Sequence, residues 1–327
     1  SKVNESWADV ILQGPFFSVA NPFAKQPNAS MKNNLDYTEI DLEALPADFI
    51  PRTSYQPVGS TADNGDYDKS YTQWTDPVTG EKYSARSVMR LGWRRMAALT
   101  GVRTVYPTVI PAGAAHVHAV IATGGIKNEL QSLGYIGGYL SSLVSDFFAR
   151  VSGVSDLFGS VIDNFPLSDN KIIRYEVAQR FTELTCLTAQ MSELWEGVHK
   201  NPWTIKSPVR KERDRLIVQS EIDALVAISF RITPDELITI YNTQFSVLQQ
   251  YDGSNLFDHN GRKLPKEISK LVKDSAKNGT TLPLASLRWT HPQSQREYVF
   301  EEPFTTFDRE QALRDAYEKF SYLASEN

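Results

Sequence analysis

Between Lys82 and Asn128 the chain carries Lys82, Arg86, Arg90, Arg94, Arg95, Arg103 and Lys127 and no acidic residue. Guanidinium groups without carboxylate neighbours suit phosphate oxygens, and their planar fork matches the paired acceptors of guanine in a major groove. The spacing predicts a helix over Tyr83 to Leu99. That helix would set Arg86, Arg90 and Arg94 at i, i+4 and i+8 on one stripe, with Met89, Trp93 and Met96 on another. One side would pack and the other would face a polyanion. A solvated face neutralised by the stretch upstream fits the composition equally well, since Leu35 to Glu81 holds ten acids against Arg52 and Lys69. Arg150 extends the basic set, and two weaker clusters follow: Lys206, Arg210, Lys211, Arg213 and Arg215, then Arg262, Lys263, Lys266, Lys270, Lys273 and Lys277. Both are interleaved with acids, the usual mark of a solvated helix face.

Motifs for catalysis are missing. Phosphate cradles need glycines at fixed offsets so that backbone N–H groups converge on the anion, but Gly124-Gly125 and Gly137-Gly138 are isolated pairs. Asn21-Pro22-Phe23-Ala24 has part of the Asn-Pro-Pro-aromatic tetrad with which amino-group methyltransferases hold an exocyclic amine. It lacks the second proline and the aromatic after it, and reads as a loop. The Glu-x-Lys or Gln-x-Lys pair of restriction-type nucleases is absent, as is the Gly-x-Ser-x-Gly of a serine nucleophile. His116-Val117-His118 would put two imidazoles on one strand face, which is metal-ligand spacing without an evident third ligand. Cys186, the sole cysteine, lies in an apolar helical pattern and reads as a buried, inert thiol. No catalytic residue, metal site or cofactor site is expected.

The elements that must position these residues change character along the chain. Up to about Pro166 there are short apolar runs, Val10-Ile11-Leu12 and Phe16 to Val19, and turn signals at Asp63 to Asp66 and Asp76-Pro77-Val78-Thr79-Gly80. Thr104 to Val109 and Val117 to Ala122 are the best strand candidates. Helices then take over. Ile173, Val177, Phe181, Leu184, Leu187, Met191, Trp195 and Val198 form one stripe on a long helix, and a second helix covers about Pro208 to Phe230. Thr233-Pro234-Asp235-Glu236 is a capping box that starts a third, and a last helix begins near Asp308. The expected fold is therefore α+β, a strand- and loop-rich domain over 1–170 followed by a mainly helical domain over 171–327. At 327 residues with 41% hydrophobic and 22% charged residues the chain can bury a sizeable core, and its net charge of −5 excludes a uniformly basic sleeve. With no membrane-length apolar run, no leader and one cysteine, it is expected to be cytoplasmic and free of membrane.

Longer stretches carry a family resemblance. Ser18-Val19-Ala20-Asn21-Pro22-Phe23-Ala24-Lys25-Gln26-Pro27, Asp36-Tyr37 through Ile40-Asp41-Leu42 and Pro51-Arg52-Thr53 resemble the region after the catalytic domain in large adenine-specific DNA methyltransferases of bacterial phage defence and fused restriction–modification enzymes. Trp93-Arg94-Arg95-Met96, Arg103-Thr104 and Ile110-Pro111-Ala112-Gly113 are similar to that region too, with Ala112 in place of a second proline. The likeness runs on through Asp146-Phe147-Phe148-Ala149-Arg150, Glu221 to Ala227 and Thr239 to Phe245, as far as Phe257 to Pro265. It implies a target-recognition module for double-stranded DNA, with S-adenosylmethionine and the tetrad held by a methyltransferase catalytic domain that this chain does not contain. Arg86, Arg90, Arg94, Arg95, Arg103, Lys127 and Arg150 are the expected DNA contacts. The alternative is a protein-interaction module that meets other defence-system subunits without touching DNA.

Overall fold

The computed structural model describes residues 1–62, 65–124 and 129–326. Asp63 and Asn64 of the first expected turn, Gly125 and Lys127 lie outside them. The chain opens with β1 (Ile11–Leu12), then β2 (Lys25–Pro27) and β3 (Tyr37–Glu39), an antiparallel pair with Lys25 opposite Glu39. A short helix α1 (Asp66–Ser70) leads into the hairpin β4 (Gln73–Thr75) and β5 (Lys82–Ser84). The turn expected there forms: Asp76 Oδ1 accepts from the N–H of Val78 and Thr79 at 2.8 and 3.0 Å, and Gly80 takes a φ of +74° that only glycine adopts freely.

Next come β6 (Arg90–Arg94), β7 (Pro107–Ile110), β8 (Ala115–His116) and β9 (Val120–Thr123). β6 is the middle strand of an antiparallel sheet between β7 and β9, while β1 and β8 pair in parallel. The expected helix over Tyr83 to Leu99 is thus not present. In a strand, Arg90, Gly92 and Arg94 share one face and Leu91 and Trp93 the other, and here both faces are covered. Gly92 holds the centre because a Cβ there would lie 2.4 Å from Ile110 Cδ1.

Helices dominate the remainder: α2 (Leu130–Leu140), α3 (Leu143–Ser152), α4 (Gly159–Ile162), α5 (Lys171–Thr185), α6 (Ser192–His199), α7 (Glu212–Ser229), α8 (Pro234–Gln244), α9 (Ser246–Ser254) and α10 (Lys266–Asn278). The hairpin β10 (Arg288–Thr290) and β11 (Glu297–Val299) and helix α11 (Arg309–Phe320) complete the fold, which is α+β with a helical C-terminal region. Thr233 and Glu236 form the expected capping box on α8, and Asp308 accepts from Gln311 N at 3.0 Å to start α11. The long helix expected from Ile173 to Val198 is instead two, α5 and α6. Its apolar stripe is continuous, but the backbone leaves the helix at Cys186, and Trp203 Nε1 and Arg210 Nη2 each reach a released carbonyl, Cys186 O and Leu187 O, at 2.8 Å.

One hydrophobic cluster runs from Trp7 and Phe23 through Trp93, Phe181 and Leu225 to Leu323, so the core does not divide at the expected boundary of residue 170. Helix α2 packs closely on α5 because a Cβ at Gly137 or Gly138 would stand 2.3 Å from the Phe181 ring or 2.5 Å from Val177. A second, small cluster of Leu264, Ile268, Leu287, Tyr298 and Phe300 lies beneath α10 and the β10–β11 hairpin. Among the described residues no helix is long and apolar enough to cross a membrane.

Candidate functional site

The arginines expected on one stripe go to separate places. Arg86 and Arg90 are buried, with 2% and 0% of their surface exposed. Arg86 Nε donates to Gly113 O and Nη2 to Ala8 O, both at 2.9 Å, and Arg90 Nη2 donates to Ala114 O. Arg103 is buried against Asp146, with Nε to Oδ2 at 2.7 Å and Nη2 to Ser141 O at 2.7 Å. Arg150 meets the same carboxylate at 3.2 Å and the carbonyls of Leu99 and Gly101 at 3.1 Å. Arg95 is half-buried and pairs with Asp156 at 3.1 Å. Lys127 is outside the described residues.

The expectation of an outward, acid-free ridge is therefore corrected for Arg86, Arg90 and Arg103, which reach backbone carbonyls and carboxylates inside the protein. The sequence segment lacks acids, but the fold brings Asp68 from upstream to 3.7 Å from Arg86 and Asp146 and Asp156 from downstream. Buried guanidiniums also need the carbonyl acceptors they find, since an unpaired buried donor is costly.

Arg94 differs. It stands on β6 with Nη2 donating to Phe17 O and its guanidinium over the Tyr106 ring at 4.0 Å, has no carboxylate partner among the described residues, and lines an open cleft of about 710 Å³ that the carboxylate-paired Arg103 also borders. The cleft lies where the loops around β2 and β3 face α7 and α9. Its far wall contributes Arg215 from α7, Tyr251 and Asn255 from the α9 end, and Lys263. Three carboxylates line the cleft, and each is engaged: Lys263 sits 3.7 Å from Glu39 and 3.6 Å from Glu212, and Arg309 holds Asp252 through two bonds of 2.6 and 2.9 Å. Glu212 first, and Glu39 after it, raises the Lys263 pKa against the cost of burial.

Arg94 and Arg215 have no carboxylate within ion-pair distance among the described residues. Arg215 donates to Leu184 O, Val209 O and Ala20 O at 2.8, 2.7 and 3.3 Å, and burial pulls its pKa down to about 10. Burial lowers the Arg94 pKa as well, and its Nε is enclosed without an acceptor. Glu212 acts on Arg215 through space, but neither Arg94 nor Arg215 is held in an ion pair among the described residues, and two guanidiniums bonded only to neutral carbonyls make the cleft attractive to an anion. Asn21 lines the cleft too, but its Oδ1 accepts from Phe23 N at 2.9 Å, so it is spent on an Asx turn, as the loop reading of Asn21-Pro22-Phe23 expects.

Beyond the α9 rim lies α10. Lys266, Lys270, Lys273 and Lys277 recur at spacings of four, three and four, on the side opposite buried Ile268 and Ser275, and all four are exposed. Lys273 Nζ donates to Ser254 O at 2.7 Å, next to Asn255 on the cleft wall, which ties the lysine stripe to the rim. This was the weaker of the sequence expectations; its signal was the four-three-four lysine spacing, blurred by Glu267 and Asp274 on the neighbouring strip.

The histidine pair does not form a ligand set. His116 ends β8 and packs edge-on against Tyr71, with burial taking its pKa down to about 4, whereas His118 is exposed in the turn that follows. Among the described residues no three His, Cys, Asp or Glu side chains are grouped as a metal site. Cys186 is buried, and burial pushes its thiol pKa well up, away from the reactive thiolate. Comparison with family models, with curated proteins and with solved structures finds no match to this chain.

Proposed function

We propose that this chain is a nucleic-acid recognition module, and that it serves as the target-recognition portion of an adenine-specific DNA methyltransferase of restriction–modification or phage defence. The observation that carries the reading is the α10 lysine stripe bordering a cleft in which Arg94 and Arg215 have no carboxylate partner. Exposed lysines at helical spacing meet successive phosphates and fix register, while a cleft of about 710 Å³ takes one or two nucleotides, not a duplex. Adenine methylation needs the target base out of the stack, so a cationic nucleotide-sized cleft beside a phosphate-binding helix fits that task. The resemblance of Ser18 to Pro27 and of Ile110 to His118 to such enzymes supports the same assignment. S-adenosylmethionine and the catalytic residues would belong to a methyltransferase domain that this chain positions, and the chain itself would perform no chemistry.

The test is binding of fluorescent duplex DNA to the wild-type chain and to Lys270→Glu plus Lys277→Glu. Both side chains are exposed, so the double variant should fold normally and bind at least tenfold more weakly. Equal affinity for the two proteins would contradict the reading and favour a module that meets protein subunits.

A further inference from the structure

The two most deeply placed arginines, Arg86 and Arg90, are covered by a part of the chain that is not itself held in the core. Among the described residues from Ser54 to Tyr83 none is buried, while Ser84, Ala85, Arg86 and Arg90 immediately beneath are. The cover is made by α1 and the residue after it. The Tyr67 ring lies 5.0 Å from the Arg86 guanidinium, Asp68 stands 3.7 Å from Arg86 Nε, and the Tyr71 ring lies 5.8 Å from the Arg90 guanidinium. The Tyr71 hydroxyl also accepts from His116 N at 3.2 Å.

Beneath this cover the two arginines are only partly used. Their carbonyl bonds to Ala8, Gly113 and Ala114 hold the guanidiniums in place, but Arg86 Nη1, Arg90 Nε and Arg90 Nη1 are buried without an acceptor. Native proteins seldom leave such donors unmet, and a cluster of three on adjacent guanidiniums is suited to an oxyanion. What the cover supplies resembles a nucleotide in kind: planar rings against guanidiniums and one carboxylate where a phosphate would lie.

We propose that Tyr67, Asp68 and Tyr71 are an internal stand-in for a nucleic-acid strand. They occupy a phosphate-and-base site built by Arg86 and Arg90, which a DNA backbone phosphate and its adjoining base take over when the segment from Gly65 to Thr75 lifts away. The site is a second anchor point, distinct from the α10 stripe and the cleft, and it rests on the reading of the chain as a nucleic-acid module. The segment contributes no core residue of its own, and lifting it costs the pairing of β4 with β5, the bond from Ala85 N to Thr72 O and the bond from His116 N to the Tyr71 hydroxyl. The arginines stay positioned through their carbonyl bonds.

The test uses Tyr67→Ala, Asp68→Asn and Tyr71→Ala together in the full chain, with a labelled oligonucleotide, single-stranded and duplex, followed by fluorescence anisotropy. The cover competes with the ligand, so the triple variant should bind at least tenfold more tightly than wild type, and adding Arg90→Met should remove the gain. A parallel hydrogen-exchange measurement on the wild-type chain covers the case in which Arg90→Met does not fold. Adding oligonucleotide should speed exchange over residues 65–75. Unchanged affinity in the triple variant, or exchange over 65–75 that is unchanged or slowed by ligand, overturns the proposal. Loss of binding in Lys270→Glu plus Lys277→Glu alongside an unchanged triple variant would leave the nucleic-acid reading standing and remove this site alone. Absence of binding by wild type and every variant would remove both.

Discussion

Asp146 is the clearest place to separate structural arginines from functional ones. Its carboxylate is fully buried and accepts from Arg103 Nε at 2.7 Å, Arg150 Nε at 3.2 Å and Thr104 N at 2.9 Å, so it neutralises one buried guanidinium and joins α3 to the segment before β7. Asp146→Ala leaves the Arg103 charge in the interior with only Ser141 O as acceptor, and leaves the Thr104 N–H without a partner. Breaking a buried pair by removing one member costs roughly 3–5 kcal/mol. The orphaned amide adds to the same loss without being additive with it, because one network is involved. Against a total stability of about 5–15 kcal/mol, the variant should be marginal. Urea unfolding followed by tryptophan fluorescence measures the loss. Arg103→Ala should be comparably destabilised; because Arg103 also lines the cleft, the comparison of DNA binding uses Asp146→Ala, whose folded fraction should bind as wild type does. A loss below about 1 kcal/mol for Asp146→Ala would show that Arg103 finds solvent without its partner, refuting the argument that it is an interior strut.

Further expectations concern packing and pH. Gly137→Ala drives a methyl group toward the Phe181 ring, where the Cβ would sit at 2.3 Å, and overpacking of this kind should cost about 1–3 kcal/mol in the same unfolding assay. His199 stacks on Trp195 at 3.7 Å and meets Thr182 Oγ1 through Nε2 at 2.8 Å, and burial first of all takes its pKa from 6.5 to about 4. The unfolded chain therefore takes up this proton before the folded one. The His199 contribution to stability is complete above pH 6.5 and is lost as pH falls toward 4. His116 has the same direction, and buried Asp223, raised to about 6, has the opposite one. His199→Gln should accordingly flatten the stability profile between pH 6.5 and 4; an unchanged slope would contradict the assignment.

Local signals written into a few adjacent residues were legible. The Thr233–Glu236 box, the Asp308 cap and the Asp76 turn each depend on side chains reaching their own backbone, and each is where the sequence places it. Signals that depend on distant partners were not. Arg90 to Arg94 alternates in a way that a strand requires, but β6 is covered on both faces, so the contrast between inner and outer residues that marks a half-buried strand is absent. The strands expected at Thr104 to Val109 and Val117 to Ala122 lie slightly later, at β7 and β9. The N–H groups of Thr104 and Val105 bond to Asp146 and are unavailable to a ladder, and Val117 to Val120 closes a turn.

The break after Thr185 was hidden because the apolar stripe continues through it, and only Trp203 and Arg210, far along the chain, mark where the carbonyls are taken. Charge was the most misleading feature. A segment without acids is not a region without acids once Asp68, Asp146 and Asp156 fold against it, whereas the α10 lysines, mixed with acids in sequence, separate onto one side of their helix.

The salt dependence of DNA affinity tests the central claim most directly. With phosphate contacts from Lys266, Lys270, Lys273 and Lys277 and from the cleft, log affinity should fall linearly with log salt, losing about 0.9 in slope for each contact removed. Lys270→Glu plus Lys277→Glu should then bind more weakly at every salt concentration and show a slope shallower by roughly two contacts. Affinity that ignores salt, or a slope identical in wild type and variant, would contradict the account.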